Sequence, residues 1–167
     1  MKYLALFFAC FASLEGTAYH HFLWKASQGD VIQLEDSSRW SLKPSDRYKI
    51  CAWQPSDQLM VTPNYVWFST YLYRVTNLNT NEVVEVKLAA RPDSKDYLWI
   101  KSFDIETQQI TLSDASTWVL IEPSSLQEDW VIDDPILVGH NKGFFSATFP
   151  NILINLETIT HVKAREL

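Results

Sequence analysis

Apolar and polar residues alternate over two short stretches of this chain, residues 32–42 and 110–120, and the two stretches carry the same pattern. Ile32, Leu34, Trp40 and Leu42 share one parity, as do Ile110, Leu112, Trp118 and Leu120. A period of two places each set on one face of a strand pair. Between them stand Glu35-Asp36-Ser37-Ser38 and Ser113-Asp114-Ala115-Ser116. Asp and Ser favour turns because their side chains bond the local backbone. Each stretch therefore predicts a hairpin with a polar tip and one apolar face. A two-residue reverse turn prefers Gly after Asp, and Ser37 and Ala115 stand there instead, which leaves the turn type open.

The likeness extends beyond the hairpins. Ile32, Leu34, Asp36, Ser38, Trp40 and Leu42 recur 78 positions later as Ile110, Leu112, Asp114, Ser116, Trp118 and Leu120. Trp53, Asp57, Leu59, Met60, Val61 and Asn64 recur at an offset of 77 as Trp130, Asp134, Ile136, Leu137, Val138 and Asn141. Tyr71, Val75, Asn77, Leu78 and Thr80 recur as Phe149, Leu153, Asn155, Leu156 and Thr158, with the offset back at 78. One deletion and one insertion account for the register, and ordered identity that includes Trp marks an internal duplication.

Further strands are predicted at about 58–62 and 135–139, 70–78 and 147–155, and 83–89 and 157–163. That makes about five strands per copy. Pro55, Pro63, Pro123, Pro135 and Pro150 fall between runs or at their ends, where sheets tolerate them. The expected fold is all-β: two tandem small antiparallel β-barrels, SH3-like or OB-like, over residues 22–88 and 99–164. A polar linker at 89–98 joins them, and a signal peptide over 1–18 precedes them. Barrels this small are marginal by size. Burying one Trp hides about 150–250 Å², or about 4–6 kcal/mol gross at ~25 cal/mol/Å². Trp40, Trp118, Trp53 and Trp130 are accordingly read as core.

The motif residues also support a resemblance. The first copy has Leu34-Glu35-Asp36-Ser37-Ser38-Arg39-Trp40, Trp53 to Asp57, Pro63-Asn64, and Tyr71-Leu72-Tyr73-Arg74-Val75-Thr76-Asn77. The second has Leu112 to Trp118, Trp130 to Asp134, Asn141, and Phe149 to Asn155. This resembles uncharacterised exported proteins of chlamydia-like intracellular bacteria, which carry tandem L-x-D-G-S-x-W, W-x-x-x-D and Y-x-Y-x-L-I-N segments. The likeness covers most of the chain after residue 18 and departs at Ser37 and Ala115, where the pattern prefers Gly. It implies export and the fold, and no chemistry.

The opening segment reads as an address. Lys2 precedes an apolar run from Tyr3 to Ala12, and Gly16-Thr17-Ala18 offers small residues for cleavage after Ala18. Acylation at Cys10 is the alternative, opposed by the two aromatics at Phe7-Phe8. No later stretch is long and apolar enough for a membrane helix. With the leader removed, Cys51 is the one cysteine left; it has no internal disulfide partner and is expected as a small buried hydrophobe. A net charge of −6 argues against a nucleic-acid binder, which needs a cationic face.

Candidate chemistry is sparse. Ser146, His140 and Asp134 form a triad on paper, but no G-x-S-x-G elbow is present and the first copy has Pro63 where the second has His140. Asp133-Asp134 reads as a turn before Pro135. Metal-site spacings such as C-x-x-C or H-E-x-x-H are missing, and no cofactor is indicated. One conditional metal ligand is His21: after cleavage at Ala18 it becomes the third residue, where a free amine, amides and imidazole wrap Cu(II) or Ni(II). The favoured candidates are aromatic. Trp67-Phe68 follows Asn64 by three residues, and Phe144-Phe145 follows Asn141 by three. Adjacent strand residues cannot both face one core, so one of each pair is expected outside, forming a ligand- or partner-binding ridge.

The expected function is an exported, non-catalytic binding or structural protein whose partner is a protein or glycan. It is placed in the periplasm, the cell envelope or the medium. A small secreted hydrolase and a nucleic-acid-binding barrel are the alternatives.

Overall fold

Each alternating stretch becomes two four-residue strands. In the computed structural model, which describes residues 19–27, 30–93, 97–121 and 129–167, the hairpins are β2 (Val31–Leu34) with β3 (Arg39–Leu42), and β8 (Gln109–Leu112) with β9 (Thr117–Leu120). Ile32 pairs with Trp40 and Ile110 with Trp118, so the shared parity does put them on one face. The signal-peptide segment and Cys10 lie outside the described residues.

Six strands close each barrel, one more than expected. The first adds β1 (His21–Ser27), β4 (Gln58–Pro63), β5 (Tyr73–Asn77) and β6 (Val83–Ala90), in the order β1-β2-β3-β6-β5-β4. The second adds β7 (Leu98–Asp104), β10 (Pro135–His140), β11 (Asn151–Asn155) and β12 (Thr160–Glu166), in the matching order. All pairings are antiparallel, and short β1–β4 and β7–β10 ladders close the rings. The strands missing from the expectation are β1 and β7. Each carries a register shift, between Leu23 and Lys25 and between Ile100 and Ser102. The extra residue of such a bulge breaks the period-two pattern on which strand reading depends.

Two expected strands are shorter or displaced. The run at 70–78 is strand only from Tyr73, and that at 147–155 only from Asn151, because the preceding residues form anchored loops. The last strand begins at Thr160 rather than 157, after a turn in which Ile159 adopts φ 59°.

Trp40 and Trp118 are fully buried, and Trp53 and Trp130 nearly so. The second interior gathers Ile100, Ile110, Leu112, Trp118, Ile136, Val138 and Leu153. The first gathers Ile32, Leu34, Trp40, Leu59, Val61 and Val75, and it is continuous with Leu137, Ile152, Ile154 and Leu156 of β10 and β11 and the turn that follows. The two units therefore do not close independently. β10 and β11 are buried on both faces, one toward their own barrel and one toward its neighbour.

Gly139 shows how tight that junction is. A Cβ there would stand 2.9 Å from the Val61 carbonyl oxygen and 2.9 Å from the Ile152 side chain, closer than Cβ atoms pack. Its missing side chain lets β4 and β10 approach back to back.

Candidate functional site

The duplicated polar residues turn out to hold turns. Asp36 Oδ1 accepts hydrogen bonds from the Ser38 amide (2.9 Å) and hydroxyl (2.6 Å), and that hydroxyl accepts the Trp40 indole N–H (2.9 Å). Asp114, Ser116 and Trp118 repeat the relay at 2.9, 2.6 and 2.8 Å. Ser37 and Ala115 adopt φ 68° and 70°, a left-handed conformation that favours glycine. Lower in each barrel, Asn77 Nδ2 donates to Asp57 and Asn155 Nδ2 to Asp134, both at 2.7 Å. These side chains are engaged in folding, which is why they recur.

A third repeated anchor shapes the aromatic loops. Asn64 Nδ2 donates to the Tyr71 carbonyl and Asn141 Nδ2 to the Phe149 carbonyl, each at 2.8 Å. The chain between swings outward and carries Phe68 at φ 63° and Phe145 at φ 67°. The left-handed region costs a non-glycine residue about 1–2 kcal/mol. Both copies hold a phenylalanine in it at the equivalent place.

All four expected aromatics are exposed: Trp67 by 82%, Phe68 by 98%, Phe144 by 87% and Phe145 by 57%. The expectation that one of each pair turns inward is corrected. These residues sit on loops, where the alternation of strand faces does not apply. Trp67 and Phe68 meet edge to face at 6.1 Å. Tyr65, Val66 and Leu72 are exposed beside them.

The two loops adjoin. Val61 lies against Gly139 where β4 packs on β10, and four residues further on Tyr65 lies against Gly143, whose Cβ would stand 2.6 Å from the Tyr65 hydroxyl. β4 and β10 thus run side by side in one direction and deliver both aromatic loops to the same end of the molecule. Tyr65 was not singled out from the sequence. The one trace of it in the sequence is the pair of glycines in and after β10, since glycine beside a strand marks close backbone approach.

The other candidates are not brought together as sites. Asp134 Oδ2 is bonded to the Val131 amide and to Asn155, Ser146 is exposed, and His140 Nδ1 is buried without a partner among the described residues. Burial, aided by Lys142 and His20, holds His140 below its ordinary range. Asp133 is an exposed turn residue at φ 73°.

His21, the conditional metal ligand, has both of its nitrogens engaged within the barrel. Nε2 donates to the Val138 carbonyl at 2.7 Å, and Nδ1 meets Glu35 at 2.8 Å. Burial alone would push this imidazole down. The Glu35 hydrogen bond and charge, with the Val138 carbonyl, outweigh it and hold His21 above its ordinary value. Glu35 is held low in turn, its own burial outweighed by His21 and by the Phe22 amide.

Cys51 is also corrected. It is exposed, because the short 3₁₀ turn Lys49–Ala52 directs Ile50 inward and Cys51 outward. Tyr19 is docked: its hydroxyl donates to Glu166 at 3.0 Å, and its ring lies 5.3 Å from Trp118.

No helix among the described residues is long and apolar enough to cross a membrane. No known protein family, curated protein or solved structure is matched by this chain.

Proposed function

We propose that the protein is an exported, non-catalytic binding protein whose duplicated barrels, of the SH3-like or OB-like kind, present one aromatic end to a partner in the cell envelope. The observation that carries the reading is the adjacency of two exposed aromatic loops, Trp67-Phe68 and Phe144-Phe145, at one end. Contiguous exposed apolar surface on a folded protein favours a binding role. The repeated polar motifs are consumed in turns, and the buried His21 and Asp36 serve the barrels themselves, whereas the exposed aromatic pair recurs at the equivalent place in both copies. Export follows from the leader pattern at 1–18 and from the resemblance to exported chlamydia-like proteins.

The test is fractionation of the producing cell with N-terminal sequencing, run on wild type and on a variant with Trp67, Phe68, Phe144 and Phe145 all changed to Ala. Wild type is expected to begin near Tyr19 and to sediment with envelope fragments. The variant is expected to keep its melting temperature and stay in the supernatant. Equal sedimentation of the two would remove the aromatic end from the reading.

A further inference from the structure

We propose that the aromatic end docks on a lipid bilayer that contains anionic headgroups; this rests on the reading of that end as the binding surface.

Charge is what separates a bilayer from other occupants. The chain has 20 acidic and 14 basic residues, yet residues 64–72 and 141–150 contain no Asp or Glu. Lysines surround the same surface. Lys142 is exposed within the second loop, Lys163 Nζ lies 5.4 Å from the centre of the Phe145 ring, and Lys87 Nζ lies 5.7 Å from that of Tyr71. In an acidic protein the two aromatic loops themselves thus carry no negative charge, and lysines stand over the exposed Phe145 and the half-buried Tyr71.

That composition suits the boundary layer of a bilayer. Tyr and Trp favour the headgroup region, Phe the acyl boundary, and lysine stems lie along apolar surface while their ammonium groups reach phosphate. Tyr65, Trp67, Phe68, Phe144 and Phe145 supply the rings. Two loops side by side give two points of entry, and neither needs to be long.

A glycan fits less well. Sugar recognition draws on carboxylate and amide side chains beside the rings; the two loops hold no Asp or Glu, their amides Asn64 and Asn141 are spent on the loops' own backbone, and the exposed Thr70, Ser146 and Thr148 offer hydroxyls alone. The left-handed Phe68 and Phe145 hold the rings outward before any partner arrives, so little ordering remains to be done on docking.

The experiment uses processed protein and variants sharing one N-terminus, so that residues 1–18 cannot account for a difference. Vesicles of phosphatidylcholine alone are compared with vesicles of phosphatidylcholine mixed with phosphatidylglycerol. Wild type is expected to co-sediment with the mixed vesicles and only weakly with the neutral ones. Changing Lys142 and Lys163 to Gln should weaken the mixed-vesicle partition about thirtyfold. Changing the four aromatics to Ala should abolish it.

Brominated lipid should quench Trp67. The Trp67→Phe variant should lose that quenching while still sedimenting, a readout that a purely structural role would not move. Envelope sedimentation that depends on the aromatics, without binding to either vesicle, would overturn the lipid proposal and leave the binding surface standing. Concentration-dependent self-association lost in the four-alanine variant, again without vesicle binding, would assign the end to a second copy of the chain. Failure of both envelope and vesicle sedimentation would overturn both readings.

Discussion

Trp40 and Trp118 occupy the same place in two copies of one barrel, make the same indole–serine–aspartate relay, and live in different surroundings. Trp40 meets Tyr73 edge to face at 5.6 Å, within its own barrel. The position equivalent to Tyr73 in the second copy is Asn151, whose Oδ1 is buried without a partner among the described residues. Trp118 instead takes Tyr19, from before the first barrel, as its ring neighbour. The aspartates differ too. Asp36 is buried, its Oδ2 has no partner among the described residues, and burial raises its carboxyl above the usual range despite the Ser38 bonds. Asp114 is exposed. Duplication preserved the local hydrogen-bond geometry, while packing between the copies decided what surrounds it.

The largest expected effects test whether the copies stand or fall together. Trp40→Ala and Trp118→Ala should each cost about 3–5 kcal/mol. Because the first core includes the outer face of β10 and β11, calorimetry should show one transition that moves in both variants. Two separable transitions would break the picture of joined barrels.

Gly139→Ala comes next. The new methyl meets the Val61 carbonyl oxygen at 2.9 Å, and overpacking of this kind costs about 1–3 kcal/mol. Hydrogen exchange should rise along β4 and β10 together. Tyr19→Ala should cost about 2 kcal/mol through the lost ring contact and the Glu166 bond, and it should loosen β9 and β12 more than β2 and β3. Equal loosening of both hairpins would deny the asymmetry.

Smaller again is a pH effect that only the first copy can show, since the second has Leu98 where the first has His21. The raised His21 contributes stability that is full below its ordinary 6.5 and is lost as pH climbs through its higher folded value. The lowered Glu35 contributes above its ordinary 4.5 and loses it on acidification through its lower folded value. The pair therefore helps most between those two pH values. His21→Gln should flatten the alkaline side of the melting-temperature profile, at a cost of about 1–2 kcal/mol, discounted because the Glu35 side chain is 39% exposed. An unchanged alkaline limb would show that the pair is not linked to folding. Smallest, and opposite in sign, Ser37→Gly and Ala115→Gly should each stabilise by about 0.5–1 kcal/mol in denaturant titration, since both sites are left-handed.

What could be read beforehand followed from local chemistry. The hairpins were legible because period two survives intact from Ile32 to Leu42, and the buried tryptophans because small barrels need such volume. The aromatic loops were legible because Asn64 and Asn141 fix their starting points. β1 and β7 were hidden by bulges. The burial of His21 and the exposure of Cys51 were hidden because each depends on a distant or irregular element, the β10 carbonyl in one case and a short 3₁₀ turn in the other. The junction between barrels left one trace, the glycines at 139 and 143, whose meaning depends on what lies opposite.

The contact of β4 with β10 carries one more consequence. Val61 against Gly139 and Tyr65 against Gly143 are each one residue out of equivalent register, so along this seam the two copies meet through nearly equivalent positions although their cores do not interpenetrate equally. Covalent linkage keeps the halves at high effective concentration and removes the requirement that both present identical surfaces. That freedom is visible in the replacement of a histidine by a leucine on one side alone.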